Sequence, residues 1–358
     1  MLVFDDLDDV LVSNSEPGLS ELHVVLREVL GRLDLAANVI QAQQLKMRVY
    51  RLRVRVNDAV RSLVLKRTDL RLAQRNRLVA EHWLPAIGMG NVIPRLLGVA
   101  AVRDGEWVWH IYDDLGDRTL RACAGEQRAV EDAAELIAQL HARSAGHPLL
   151  ARCRLFGDDL GMPFYTANVQ DAIRILEHIR PSVVELSSER SALLVRLLAR
   201  LYQRLEEQPA RTRALAEFGG PEVLLHGDLW PANIVMCQAE DGPRARLIDW
   251  DHAGVGPISY DISTLLSRFP PRERSWVLDC YRRSVERLGW TLPSEIVLNQ
   301  LFETAEWARW TSCLIGPALG VAEGKYIDWG FETLASVEQW TEQMTPILPH
   351  EETTAAIS

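Results

Sequence analysis

The chain has 358 residues, 47% of them hydrophobic and 25% charged, with a net charge of −10. That is enough apolar material for two packed domains or one large bilobal one. The acidic balance argues against a nucleic-acid partner, which more often meets a basic surface, and it admits a cationic small ligand.

Five cysteines are scattered without a CxxC pair. A disulfide framework or zinc site is therefore not expected, and a reducing cytoplasm is the expected location. The start, MLVFDDLDDV, has neither the basic region nor the long apolar core of a secretory signal. The longest mostly apolar stretch, 83–102, is broken by Pro85, Asn91, Pro94 and Arg95, so no membrane span is expected. Only Lys46, Lys66 and Lys325 are lysines among 39 basic residues. A position that stays lysine in so arginine-rich a chain is a candidate for needing an ammonium.

In chain order, 1–18 reads as a loose lead-in and 21–33 as a short amphipathic helix, with Leu22, Val25, Leu26 and Leu30 on one stripe. Strands are expected at 47–56 and 59–66 around an Asn57-Asp58 turn, and a helix at 69–84. Further strands at 92–102 and 106–112 meet at Asp104-Gly105. Helices follow at 126–144, 169–179 and 188–207, the last two separated by Pro181. A short strand, 223–225, leads into HGDLWPAN, and a hairpin of 234–237 and 244–248 turns at Asp241-Gly242. From about 260 to 345 the pattern is helical and tryptophan-rich, ending in a polar tail. The predicted class is α+β: a small N-terminal β-sheet lobe with one main helix (1–112), then a larger, mostly helical lobe carrying a catalytic hairpin (113–358).

His226-x-Asp228-x-x-x-x-Asn233 opens that hairpin, and Asp249 closes it. Phosphoryl transfer needs a carboxylate to orient the attacking hydroxyl and take its proton. It also needs oxygen ligands for the Mg²⁺ that rides on the nucleotide phosphates. Asp228 suits the first task and Asn233 with Asp249 the second, at the spacing of a protein-kinase catalytic loop. Asp and Asn are also common turn residues, but the run HGDxxxxN, a tight hairpin and then IDWD favours chemistry over turn-making. Lys66, at the end of Ser62-Leu63-Val64-Leu65, is placed to reach the α- and β-phosphates from a strand. Glu81 is the only acidic residue between Asp69 and Asp104 and is the candidate helix partner for Lys66; a solvated helix charge is nearly as good a reading. There is no GxxxxGK[ST] and no GxGxxG before Lys66. The nucleotide loop is expected around 38–41.

These features resemble the aminoglycoside phosphotransferase/choline kinase family, small-molecule kinases with a protein-kinase-like bilobal fold. The resemblance rests on LLHGDLWPANIV (224–235), LIDWDHAGVGPISYDIS (247–263), Lys66 and IAQLHA (137–142), and its order of parts runs from about 40 to 340. It implies ATP (GTP as the alternative) and Mg²⁺ as cofactors, Asp228 as base, Asn233 and Asp249 as metal ligands and Lys66 as phosphate anchor. It implies a hinge at Tyr112, Asp113 and Leu115 against which adenine stacks, with His226 and Asp261 supporting the catalytic loop. The implied partner is a small-molecule hydroxyl acceptor: an aminoglycoside-type amino-sugar in first place, with choline, ethanolamine, homoserine or a sugar as alternatives.

Asp251, Glu303, Glu306 and Trp307 are candidates for contacting that acceptor, the tryptophan by cation–π attraction. Loop bracing, a solvated acidic face and core packing are the competing readings for them. His141, on the apolar stripe of its helix, reads as a hydrogen-bonded core residue. A protein-directed kinase would show HRD, DFG and APE; the chain has HGD and IDWD with no APE after them. A catalytically silent kinase-fold binding module is the reading from another class, and the presence of Asp228, Asn233, Asp249 and Lys66 speaks against it. Nothing in the sequence sets an oligomeric state.

Overall fold

Alternating apolar and polar residues set three long strands side by side. The computed structural model describes residues 5–31, 37–56, 59–103, 105–179, 186–239, 242–341 and 346–349. Asn57, Asp58, Asp104, Pro181, Asp241 and the tail from 350 lie outside them. The chain forms two compact units: Met1–Cys123 with Ala232–Asp251, and Ala124–Pro231 with His252–Ser358.

The first unit holds an antiparallel five-stranded sheet in the order β1-β2-β3-β5-β4, from β1 (Ala37–Lys46), β2 (Val49–Val56), β3 (Ala59–Asp69), β4 (Leu96–Ala101) and β5 (Trp107–Asp113). Side chains alternate across a strand, so register decides what each face carries. One face presents Tyr50, Leu52, Leu63, Leu65 and Ile111, all buried, to α1 (Asp5–Ser13) and α2 (Leu19–Gly31). The other face pairs Val49 with Lys66 and Lys66 with His110, then Arg51 with Val64 and Val64 with Tyr112. Thus the strands that build the core also line up Lys66.

The first residues depart from the loose lead-in expected of them. Leu7 and Leu11, one helical turn apart, are fully buried with Leu22 and Leu26, and that burial offsets the ordering of a short helix. At the end of this segment the buried Glu16 accepts a 2.7 Å hydrogen bond from Tyr50 Oη and pairs with Arg67. The 38–41 segment, expected as a nucleotide loop, is also different. It lies within β1, paired with β2 from Asn38↔Arg55 to Lys46↔Val49, and the connection is the two-residue turn Met47-Arg48. The helix expected at 69–84 is α3 (Leu70–Leu78), a π-helical turn (Val79–Trp83) and α4 (Leu84–Ala86). Asp69 caps α3 by accepting from Leu72 N at 3.0 Å. The hairpin β8 (Ile234–Ala239) and β9 (Gly242–Leu247) belongs to this unit too. It is tied in by Leu120 N to Ile234 O, Met236 N to Arg118 O and Leu247 N to Val92 O, at 2.7, 2.7 and 2.8 Å.

The second unit is mostly helical: α5 (Gln127–Ser144), α6 (Leu150–Phe156), α7 (Met162–His178), α8 (Ser188–Phe218), α9 (Ser259–Ser267), α10 (Pro271–Arg287), α11 (Glu295–Ala322) and α12 (Ile327–Trp340). Its main core joins Tyr165, Val169 and Leu176 of α7 with Leu197 and Leu201 of α8, Trp310 and Leu314 of α11, and Phe331 and Leu334 of α12. A small sheet, β6 (Asp158–Asp159), β10 (Gly254–Gly256) and β7 (Val223–Leu225), supports the loop that follows β7. Among the described residues no helix is long and apolar enough to cross a membrane.

Candidate functional site

A hollow of about 440 Å³ opens within the first unit, lined by Val49, Arg51, Val64 and Lys66 of the sheet and by Tyr112, Asp113, Asp114 and Leu115 where β5 ends. Asn233, Ile248 and Asp249 of the β8–β9 hairpin line it as well. The hairpin brings these last residues together: Ile234 pairs with Leu247, and Ile248 N donates to Asn233 O at 3.0 Å. The segment after β5 is anchored by a buried ion pair, Arg51 Nε to Asp114 Oδ2 at 2.6 Å. Ser62 Oγ donates to the same oxygen at 2.6 Å and Gly116 N to Oδ1 at 2.9 Å. Burial pushes the Asp114 carboxyl up, but Arg51 and these donors hold it below its ordinary value.

At the polar end of the hollow, Lys66 Nζ lies 2.5 Å from Asp249 Oδ1 and 2.6 Å from Asp251 Oδ1. Lys46 Nζ takes the other Asp249 oxygen at 2.7 Å. Asn76 Nδ2 donates to Asp251 Oδ1 at 2.7 Å, and Arg75 Nη1 to the Asp251 carbonyl at 2.5 Å. Burial opposes the charge of Lys66, yet Asp249 and Asp251 carry its pKa above the usual lysine range. Burial likewise opposes the Asp249 carboxylate, but Lys66 and Lys46 hold its pKa well below the carboxylate range. Asp249 also has φ 67°, in the left-handed region. Such a backbone costs free energy for a residue with a Cβ and recurs at functional sites.

The second unit builds the HGD loop from a buried carboxylate. Asp261, fully buried near the start of α9, accepts from His226 N at 2.8 Å and Gly227 N at 2.9 Å. His141 Nε2 lies 3.4 Å from the same carboxylate, and His141 Nδ1 meets Tyr281 Oη at 2.8 Å. Burial raises the Asp261 carboxyl, but these hydrogen bonds and the two histidines bring it below its ordinary value. Gly227 has φ 82°, and a Cβ there would come within 1.8 Å of His252 O, so only glycine fits between His226 and Asp228. Asp228 N donates to His226 Nδ1 at 3.3 Å, and Asp228 is partly exposed.

The structure therefore brings Lys66, Tyr112, Asp113, Leu115, Asn233 and Asp249 to one hollow, and joins His226 and Asp261 under Asp228 in the second unit. Glu81 is placed differently: it pairs with Arg77 at 2.7 Å across one turn, while the partners of Lys66 are Asp249 and Asp251. Asp251 thus meets the lysine rather than standing free for an acceptor. Glu306 and Trp307 are internal to the second unit. Glu306 accepts from Ser263 Oγ at 2.8 Å and pairs with Arg309, while Trp307 packs edge-on to Trp310 at 4.9 Å with the Arg204 guanidinium over its ring. Glu303 is half-buried 4.0 Å from Arg211, and burial raises its carboxyl. Lys46, Arg51 and Asn76 are site residues that sequence reasoning did not place; for Lys46 the scarcity of lysine was the available signal.

Among the described residues no three His, Cys, Asp or Glu side chains cluster as a metal cage. The donors at the hollow are instead a carboxylate and an amide oxygen. That set fits Mg²⁺, which takes few protein ligands and completes its shell with phosphate oxygens and water.

The model of the phosphotransferase enzyme family, APH, matches residues 42–291, more than half of the chain. No curated protein matches the sequence. Among solved structures, an ethanolamine kinase from Plasmodium vivax is similar with a TM-score of 0.60 at 15% identity, over 96% of this chain and 94% of that one. A Mesorhizobium loti protein of the choline/ethanolamine kinase family has a TM-score of 0.48 at 15% identity, over 83% and 88%. A Streptomyces rimosus aminoglycoside phosphotransferase in complex with ADP and streptomycin has 0.49 at 16% identity, over 81% and 99%. The fold is the α+β, protein-kinase-like class read from the sequence, an N-terminal antiparallel sheet followed by a mostly helical region. The chain belongs to the phosphotransferase enzyme family and is a small-molecule kinase, an enzyme that passes a phosphoryl group to a hydroxyl.

Proposed function

We propose that the chain transfers the γ-phosphoryl group of ATP, with Mg²⁺, to a hydroxyl of an amine-bearing small molecule, an aminoglycoside-type amino-sugar in first place. The observation that carries this reading is the partly buried Lys66–Asp249 ion pair on the lining of a hollow that Tyr112, Asp113 and Leu115 also line. In this reading 1–112 is the nucleotide-binding lobe and 113–358 the catalytic and substrate-binding lobe, in the cytoplasm. Tyr112, Asp113 and Leu115 flank the adenine, Lys66 binds the α- and β-phosphates, and Asn233 and Asp249 hold the metal. Bound Mg²⁺ supplies neutralisation of charge on the phosphate oxygens.

The acceptor oxygen forms a bond to the γ-phosphorus while the bond from that phosphorus to the β,γ-bridging oxygen breaks, and ADP leaves. Asp228 orients the hydroxyl and takes its proton. His226 and Asp261 fix the loop that carries Asp228. The net charge of −10 supports a cationic acceptor through long-range attraction.

The test is a screen for release of ADP from ATP, or GDP from GTP, against aminoglycosides, choline, ethanolamine, homoserine and sugars. The expected result is Mg²⁺-dependent release with an amino-sugar. Turnover only on choline, ethanolamine, homoserine or a sugar replaces the acceptor and keeps the reaction. Nucleotide-induced thermal stabilisation without turnover on any acceptor overturns the enzyme reading in favour of a silent binding module.

A further inference from the structure

Among the described residues the β1–β2 hairpin does not offer the usual glycine-rich cover for nucleotide phosphates. Phosphate loops generally offer a concave row of backbone N–H groups, which glycines make room for. Here the sequence has no glycine from residue 32 to residue 87. The β1–β2 hairpin is paired up to Lys46↔Val49 and turns in two residues, Met47 and Arg48. A hairpin closed this tightly has few main-chain donors to offer at its tip. The positive charge at that tip comes from a side chain.

Lys46 is the last residue of β1, and its Nζ meets Asp249 Oδ2 at 2.7 Å on the lining of the hollow. Two of the chain's three lysines therefore share one carboxylate. They are held unequally. Lys66 has a side chain 13% exposed and two carboxylate partners, whereas Lys46 is 59% exposed and is given one. A cation that takes Asp249 as a ligand displaces the lysine with less to lose, which is Lys46. An ammonium on a flexible stem can then swing a few ångströms to a phosphate; a guanidinium forked onto Asp249 would be harder to dislodge.

We infer that Lys46 is a nucleotide-binding residue which leaves Asp249 when Mg²⁺ binds there and grips the terminal phosphate of the nucleoside triphosphate. It does from the hairpin tip what glycine-rich loops do with main-chain amides. This rests on the kinase reading above.

Titrations of MgATP, MgADP and AMP into the whole protein, followed by calorimetry, test both. In Lys46→Ala, ATP affinity is expected to fall about ten- to hundredfold, the loss of a charge-assisted contact. ADP should fall less and AMP not at all, and Lys46→Arg should recover part of the ATP affinity. Lys325→Ala, an exposed lysine paired with Glu323 at 2.9 Å, serves as the control and should bind all three like the wild type. Equal ATP affinity in Lys46→Ala and the wild type overturns the inference. So does an equal loss across AMP, ADP and ATP, which marks a displaced hairpin rather than a lost phosphate contact. A wild type that binds none of the three nucleotides sinks the kinase reading itself, an outcome distinct from either.

Discussion

Lys66 is held by its neighbours in register, and one of those neighbours is a histidine that the charge disfavours. His110 pairs with Lys66 across β3 and β5 and is 1% exposed. Burial first, and then the Lys66 charge, push its pKa down to about 4; Asp251 pulls it upward, and Arg77 and Glu81 add smaller pushes down and up. Its Nδ1 lies 2.9 Å from the Tyr112 hydroxyl on the same strand. The folded protein thus keeps His110 neutral over a range where the unfolded chain protonates it. Between about pH 6.5 and pH 4 the unfolded state binds the extra proton, so stability falls as pH falls through that window, by at most about 3 kcal/mol. Urea unfolding of wild type and His110→Gln across this range should show a shallower pH slope in the variant; equal slopes would mean His110 is already protonated in the folded state. Asp228 and Asn233 could be singled out together because they lie only five residues apart. Lys46 and Asp249 are 203 positions apart, and no local pattern announces such a contact. Glu81 misled for the opposite reason: it was the only acidic residue between Asp69 and Asp104, but helix geometry gives a side chain first to its neighbour four residues away, here Arg77.

Elements were read best where periodicity was long and worst at the ends. The strand at 223–225 and the helix starts at Gln127 and Ser188 lie within a residue of expectation. By contrast α8 continues through Pro209 to Phe218, past the expected stop at 207. A proline removes one N–H but leaves the flanking turns intact, and Arg211 beyond it pairs with Glu207 at 2.6 Å. The first helix was missed because its first turns are acidic and its apolar stripe is short. Yet Leu7 and Leu11 are fully buried, and Trp109 Nε1 donates to Pro17 O at 2.9 Å just beyond. These residues precede the family match at 42. If α1 is part of the first unit's core, Leu11→Ala costs about 2–5 kcal/mol, as buried leucine truncations do. Chemical denaturation measures this directly, and a wild-type midpoint in the variant would show that α1 contributes nothing to the core.

The chain passes between its two units at 123/124, 231/232 and 251/252. The second passage falls inside HGDLWPAN and the third directly after Asp251, so the two motifs most legible in the sequence are the places where the chain changes unit. The expected division at 112/113 followed chain order. The hairpin joins the first unit through hydrogen bonds to Val92, Arg118 and Leu120, partners far from it in sequence. This partition has a functional consequence under the proposed reaction. The groups proposed to bind nucleotide and metal, Lys66, Asn233 and Asp249, belong to the first unit, and the proposed base Asp228 with its brace Asp261 belongs to the second. Binding and proton acceptance should then be separable by mutation. Asp228→Asn keeps the shape of the side chain and removes its basicity. MgATP should bind this variant as it binds the wild type, while phosphoryl transfer falls by about 10²–10⁴-fold, the usual range for a lost general base. Paired calorimetry and single-turnover assays separate the outcomes. Undiminished transfer would remove Asp228 from the chemistry, and a parallel loss of nucleotide binding would place it in the binding apparatus with Lys66 and Asp249.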